Sequence, residues 1–519
     1  MLNTAQILSA ARHDDGQRVA VRSGDLALTV EALDDLAQQC QRLFTAHGVG
    51  RGDRVALVLP NVPHFIAAYY GALRAGASVV PLSPLMTASE LTYIFNDCQP
   101  TAVVSWVGFH EATAQAARKC GVNTVFTAAP QGAAPTGMPD LFEAAAQAQG
   151  DATLVPTDSS DVAVIIYTSG TTGAPKGAAL THDNLVWNAR LFAERVEMRR
   201  GDVTFAALPF FHSFGQSCIM NTSLHSGAEM VLQARFDAPQ ALDLVEKHGI
   251  TVLMGVPSMQ AALLAENRAR PRDTSSLRWM ASGGSGLAAG LEAELAEEFG
   301  VPILQGYGLS ETSPITHVCS PSTPRSGSVG QPIWGIEQRL VDTDGRVLSV
   351  DEIGEVQVRG HAVMAGYYGR PEVTAAVIDA DGWFSTGDLG TIDDDGYLRI
   401  VDRKKDLIIR NGHNVYPSDI EMVLSQHPSV SLSAVVGLPN ETVGEEVAAV
   451  VMLKPGAMAT TEELSAYVQE RVARNSYPRV IDIVDELPLG PTGKVLKRSI
   501  DLSALTERPK AASSVEPVG

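Results

Sequence analysis

The sequence predicts an α/β protein in two parts. A large N-terminal domain is built from α/β subdomains with parallel-rich sheets plus a small β-barrel-like part, and a smaller α+β domain follows it. Three observations carry this. Short β-branched runs alternate with helical patterns up to about residue 330. From about 336 to 401 the texture changes to short alternating strands with turn residues. After Asp402 a compact set of strands and helices spans about a hundred residues, an ordinary domain size. The expected boundaries are 1–401, a joint at 402–405, a second domain at 406–505 and a tail at 506–519. A chain of 519 residues with 45% hydrophobic content has ample material for buried cores.

Taken in order, RVALVLPNVPHFIAAYYGALRAGASVVPL at 54–82 reads as strand, helix, strand, a unit whose crossover puts two parallel strands in one sheet. VAVIIY at 162–167 and TVLMGVP at 251–257 are short apolar strands, and LEAELAEEFG at 291–300 is a helix. GEVQVRG, DGWFSTGD and DDDGYLRIV alternate as half-buried strands. In the last domain DLIIRNG precedes a helix opening at PSDIEMVLSQH. Strands VSLSAVVGLP and EEVAAVVML, a helix TEELSAYVQERVARN and a strand RVIDIV complete it. The tail ERPKAASSVEPVG has the Ser, Pro, Ala and charge content of a disordered end.

Charge and cysteine usage narrow the class. Thirty-nine Lys and Arg against 59 Asp and Glu leave a net charge of −20, which disfavours nucleic acid and anionic membrane as partners. Five cysteines lie scattered without metal-ligand spacing, so neither a zinc site nor a disulfide framework is expected. The N-terminus lacks a basic segment followed by an apolar one, and no run of about 18 apolar residues occurs. The reading is a cytoplasmic protein without a membrane span.

Chemistry concentrates at 167–177, YTSGTTGAPKG, directly after the VAVIIY strand. Glycines at 170, 173 and 177 free the backbone for positive φ and close approach to a ligand. Thr168, Ser169, Thr171 and Thr172 offer hydroxyl donors, and Lys176 supplies charge. A Walker A loop is excluded because Pro175 stands where its second glycine belongs and Gly177 where its Ser or Thr would hold magnesium. A solvated linker has similar composition, but linkers do not sit between a buried strand and a helix start such as LTHDNLVWNARLF.

Other segments admit two readings each. In GYGLSET at 306–312, Tyr307 between Gly306 and Gly308 suits stacking on a purine, Ser310 suits a phosphate oxygen and Glu311 suits Mg²⁺; the competing reading is a strand-end turn. ASGGSGL at 281–287, with Gly284, offers a flat wall or a tight turn. Asp388 in STGD fits two ribose hydroxyls or an Asx turn. Arg403, Lys404, Lys405 and Arg410 form a solvated basic face or a hinge. Lys494 in GPTGK is a mobile point charge or a surface lysine, and His212 in LPFFHSFG is a core histidine or the polar group of an acyl pocket.

In this order and spacing YTSGTTGAPKG, GYGLSET, STGD, DRKKDLII and PTGK resemble the adenylate-forming superfamily of acyl-CoA synthetases, adenylation domains and beetle luciferase, over about residues 15–505. The resemblance implies an AMP-forming acid–CoA ligase using ATP, Mg²⁺ and CoA. Thr168, Ser169, Gly170, Thr171, Thr172, Gly173 and Lys176 would embrace the β,γ-phosphates, Glu311 with Thr168 the metal, Tyr307 the adenine and Ser310 the α-phosphate, with Gly308 and Gly284 also at the nucleotide. Asp388 and Arg403 would bind ribose, Lys494 the reacting carboxylate and α-phosphate. Lys405 would be the hinge of a mobile C-terminal lid, and Gly412 would face the pantetheine tunnel.

LPFFHSFGQ, MAGYYGRPE, GWFSTGD, NVYPSDIE and GLPNETVGEE are most similar to fatty-acid and related carboxylate–CoA ligases. The stretches HSFGQSCIM, MGVPSM and GGSGL carry no acidic group for a substrate ammonium, which argues for an uncharged acyl tail. Trp187, His212, Val256 and Trp334 are the candidate lining residues. Departures from the common pattern occur at RGHAVMAG and Gly286, and Ile409 stands where luciferase-like members carry lysine. The reading leaves a homodimer, an acyl carrier protein as the acceptor, and a non-catalytic nucleotide-binding homologue open.

Overall fold

A computed structural model of the chain describes residues 2–130, 137–168, 174–440, 442–489 and 495–506. The chain divides into two compact units. The first comprises Met1–Gly284, Glu294–Gln338 and Val358–Ser385; the second comprises Ser285–Ala293, Arg339–Gln357 and Thr386–Gly519.

In the first unit the unit predicted at 54–82 forms as strand Arg54–Val58, helix Pro63–Arg74 and strand Ser78–Leu82, the two strands parallel neighbours. Pro63 begins the helix at a position where its missing N–H costs nothing. All its residues but His64 are buried, so it reads as apolar all round rather than amphipathic. A Cβ at Gly71 would lie 2.6 Å from the Cys40 Cβ, so the helix Val30–Ala46 packs onto glycine there. Arg74 is buried but paired with Asp34 at 3.2 Å and with Gln41 at 3.0 Å, which offsets its desolvation.

The strands of this unit form two sheets. One runs in the order Gly366–Tyr367, Lys176–Thr181, Val162–Thr168, Ser78–Leu82, Arg54–Val58, Ala102–Trp106, Thr124–Ala128. Its inner strands are parallel, while Lys176–Thr181 and Gly366–Tyr367 are antiparallel additions at one edge. The other runs Gln331–Pro332, Ile315–Val318, Ile303–Gly308, Trp279–Ser282, Val252–Gly255, Val203–Ala206, Glu229–Leu232, Val19–Ser23, Leu26–Thr29, again with a parallel centre and antiparallel edges. Parallel strands covered on both faces are uniformly apolar, and Ser78–Leu82 is buried at every residue. In both sheets parallel strands are followed by loops at their carboxyl ends, where α/β proteins place ligands.

The second unit takes in most of a four-stranded sheet in the order Ile336–Val341, Gly354–Gly360, Phe384–Ile392, Leu398–Arg403. Its other sheet runs His413–Val415, Ile408–Arg410, Gly444–Leu453, Val430–Asn440, with Val480–Val484 parallel to Gly444–Leu453. Ile420, Leu424, Val435, Val447, Val451, Leu464 and Val468 pack on one face of it as a core. The helix expected through Asn475 is shorter, Thr461–Gln469. The N–H groups of Arg471 and Val472 both turn to the Val468 carbonyl, closing the last turn. No described helix is long and apolar enough to cross a membrane.

Candidate active site

Thr168 ends one strand and Lys176 begins the next, opposite each other in an antiparallel ladder that also pairs Tyr167 with Gly177. Gly177 was expected to supply positive φ. It lies instead inside the strand Lys176–Thr181, and its reason is space: a Cβ would come within 2.5 Å of Ile165 and 3.3 Å of the Tyr167 ring. The edge strand Gly366–Tyr367 then brings Tyr367 alongside. Its hydroxyl donates to Glu311 Oε1 at 2.9 Å, and Thr168 Oγ1 donates to the same oxygen at 3.4 Å. Lys176 Nζ stands 5.4 Å from the Tyr367 ring centroid. Glu311 itself is fixed because its carbonyl accepts the Met364 N–H at 2.9 Å. Burial first, and the Glu311 charge second, push the Tyr367 phenol up, so it remains a donor. Four separate segments thus place a lysine, a threonine and a carboxylate around one tyrosine.

Tyr307 lies on the strand Ile303–Gly308, paired across the ladder with His317, the two ring centroids 5.9 Å apart. Its carbonyl accepts from Thr316 Oγ1 at 3.2 Å. His317 is completely buried beside Gln338, which its Nε2 meets at 2.8 Å, and burial lowers its pKa to about 4. Gly308 has a reason that sequence did not offer: a Cβ there would sit 1.7 Å from the Pro314 carbonyl oxygen. Ser310 and Glu311 share the short 3₁₀ turn Ser310–Thr312 that follows. Gly284 adopts φ +84°, a conformation glycine accepts without strain.

His212 opens onto an eight-residue π-helical stretch, Phe214–Asn221. A Cβ at Gly283 would meet the Phe214 ring at 2.9 Å, so the HSFG and SGG segments pack directly on each other. Val256 is buried nearby at the start of the helix Pro257–Ala269, whereas Trp334 is 76% exposed.

In the second unit Asp388 and Arg403 face each other across neighbouring strands, Arg403 Nε 3.1 Å from Asp388 Oδ1, with Asp388 buried. Glu355, which sequence reasoning missed, anchors this corner: it accepts from Gly387 N at 3.2 Å and from Lys404 Nζ at 2.8 Å. Partial burial lowers the Lys405 pKa. Gly412, at φ +75°, follows Asn411 at φ +51°. Together they form the two-residue turn joining Ile408–Arg410 to His413–Val415. Two positive-φ residues mark a type I′ hairpin, and Asn-Gly was the sequence signal for it.

Of the predicted residues, Ser169, Gly170, Thr171, Thr172, Gly173 and Lys494 lie outside the described residues. Among the described residues no three His, Cys, Asp or Glu gather as a metal site. A single carboxylate still fits Mg²⁺, which takes one or two carboxylates and completes its shell with phosphate and water. Both described hydrogen bonds to Glu311's carboxylate go to Oε1.

Known proteins share this sequence pattern and fold. The family described as AMP-binding enzyme matches residues 8–368, and the AMP-binding enzyme C-terminal domain matches residues 419–494. The chain is 33% identical over 522 residues to a long-chain-fatty-acid–CoA ligase of Bacillus subtilis (strain 168), covering 95% of this chain and 92% of that protein. It is 35% identical over 483 residues to a feruloyl-CoA synthase of Amycolatopsis sp, covering 93% and 95%. The crystal structure of ATP-bound MatB from Rhodopseudomonas palustris is similar with a TM-score of 0.89 at 34% identity, covering 96% of this chain and 98% of that one.

Proposed function

We propose a reaction course and an acid class from one premise: the chain belongs to the AMP-binding enzyme family. It is an AMP-forming acid–thiol ligase that joins a carboxylic acid to CoA through an acyl-AMP. Its acid is a medium- or long-chain fatty acid or a related apolar acid. The HSFG and SGG segments, which pack on each other and carry no acidic or basic side chain other than His212, support that choice.

The observation that carries the reading is the meeting of Thr168 and Glu311, 143 residues apart in sequence, beside Lys176. A carboxylate oxygen attacks the α-phosphorus of ATP and pyrophosphate leaves. Lys176 and the 168–177 segment balance charge on the departing phosphates. Glu311 and Thr168 would hold Mg²⁺, which when bound neutralises phosphate charge. Tyr307 offers its ring to adenine, and Asp388 accepts from the ribose hydroxyls with Arg403 beside it. Lys494 contacts the reacting carboxylate. Residues 402–405 then serve as the hinge about which 406–505 turns, so that Gly412 and its neighbours guide the thiol to the acyl carbonyl. His212 is the polar group of the acyl site.

The test is direct. Incubated with ATP, Mg²⁺, CoA and a panel of acids, the protein should release AMP and pyrophosphate with one acid chemistry preferred. Release of ADP, or no nucleotide turnover with any acid, overturns the reading.

A further inference from the structure

Asp97 lies on the helix Ala88–Cys98, far in sequence from every motif above. Its two carboxylate oxygens take different partners. Oδ2 accepts from the Tyr167 hydroxyl at 2.6 Å, and Oδ1 accepts from Arg370 Nη2 at 2.7 Å. The same Arg370 nitrogen reaches the Tyr93 hydroxyl at 3.3 Å, and Tyr93 in turn donates to the Pro175 carbonyl at 3.2 Å. Tyr167 stands immediately before the 168–177 segment, and Pro175 lies near its end. One guanidinium and one carboxylate therefore hold both flanks of that segment through two phenols.

Arg370 is itself tied to the Glu311 side of the site. Its N–H donates to the Tyr367 carbonyl at 3.0 Å, and Tyr367 carries the hydroxyl that fixes Glu311. The residue after Tyr367 adds a further tie, since the Tyr368 N–H donates to the Gly177 carbonyl at 2.8 Å. Burial, with Asp97 beside it, holds the Tyr167 phenol above its ordinary range, so this link keeps its proton across the working pH.

We propose that Asp97 and Arg370, acting through Tyr167 and Tyr93, are positioning residues that set the separation of Tyr167 and Pro175 and so the placement of the neighbouring Thr168 and Lys176 against the terminal phosphates of ATP. A purely structural role explains the pair less well. Arg370 is 34% exposed, and a half-exposed ion pair contributes little to stability. Its partners are not scattered over the fold but end on the two flanks of one ligand-facing segment. Displacing a bound group by about 1 Å costs a hundredfold in rate, so a weak tether suffices to matter when it sets geometry.

The inference rests on the proposed function, and the two half-reactions separate them. ATP brings β- and γ-phosphates to the site, whereas preformed acyl-AMP does not. In Asp97→Asn, Arg370→Gln and the double variant, the KM for ATP in acid-dependent pyrophosphate exchange should rise about tenfold while the KM for the acid stays within twofold. Thioester formation from preformed acyl-AMP and CoA should stay within twofold of the parent, and the double variant should be no worse than either single one. Arg370→Lys keeps the charge opposite Asp97 but shortens the reach to Tyr93, so it should fall between parent and Arg370→Gln, and it covers the case in which the others fold poorly. Equal losses in both half-reactions, or unchanged ATP kinetics, overturn the positioning role while leaving the ligase reading intact. A parent protein that gives no pyrophosphate exchange with any acid overturns the ligase reading itself.

Discussion

The Glu311 cluster and the Asp388–Arg403 pair are built in opposite ways. The pair is local: two consecutive strands lay the residues opposite each other, and the ladder alone brings them to 3.1 Å. The cluster is non-local, since Thr168 and Tyr367 reach Glu311 across separations of 143 and 56 residues. A local pair needs only correct strand register, whereas a non-local cluster needs two sheet edges and their connections in place. The cluster should therefore be more sensitive to single changes and to conditions that disturb burial.

The largest effect should follow a change at the centre of the cluster. Glu311→Gln keeps the shape and can still accept from Tyr367, but it removes the carboxylate proposed to hold Mg²⁺. Losing one electrostatic group of this kind costs about 3 to 4 kcal/mol, a fall of 10² to 10³ in kcat for adenylation. Steady-state pyrophosphate release checks this, with nucleotide-binding calorimetry at varied Mg²⁺ as the independent readout. A variant within tenfold of the parent in both would remove Glu311 from the chemistry and leave the cluster a packing feature.

Acidification should separate the two units next. Burial lowers His182 and His317, both in the first unit, to about 4. Their unfolded value is near 6.5, so between about pH 6.5 and 4 the unfolded chain binds more protons. Stability from these groups is whole above pH 6.5 and falls as pH drops through that window, on the order of 2 to 3 kcal/mol per histidine. His182 also accepts the Thr4 N–H through Nδ1, a bond that its protonation breaks. In the second unit the sign reverses. Burial raises Asp419 and Glu421 above their ordinary values, so their charged forms cost stability at neutral pH and lowering the pH relieves that cost. Amide exchange at pH 7 and pH 5 should show protection falling around residues 4 and 182 and around 307–318, with protection around 419–421 unchanged or higher. Uniform loss in both units would contradict the assignment of these groups.

The same contrast explains what sequence made legible. Strand, helix and strand at 54–82, the strand ending at Thr168 and the two strands carrying Asp388 and Arg403 all follow from patterns within about thirty residues. Asp97 carries no such signal, and Arg370 and Tyr367, although they lie within MAGYYGRPE, carry none for the contacts they make. Each is one polar residue on an ordinary element, and its role exists only once distant segments meet, as with the 273 residues between Arg370 and Asp97. Glycines misled in a similar way. Gly177 looked like backbone freedom, yet it is required because a neighbouring methyl and ring fill the place of a Cβ, and Gly308 has a similar requirement at the Pro314 carbonyl. The type I′ turn at Asn411–Gly412 was readable from its dipeptide, because there the requirement for positive φ is local.

The smallest effect belongs to the local pair and tests the comparison from the other side. Arg403 is half-exposed, its Nε 3.1 Å from Asp388 Oδ1. Ion pairs with an exposed partner couple by only about 0.2 to 1 kcal/mol. A double-mutant cycle of Asp388→Asn and Arg403→Gln, read by denaturant unfolding of the full chain, should give a coupling within that range, because the strands hold their register without the charges. If Asp388 accepts from the ribose hydroxyls as proposed, the same variants should each raise the KM for ATP, because a neutral amide accepts less strongly. A stability coupling of several kcal/mol with unchanged ATP kinetics would make the pair a structural brace. Ribose recognition would then fall to residues elsewhere, and local ladders would have proved as fragile as the distant cluster.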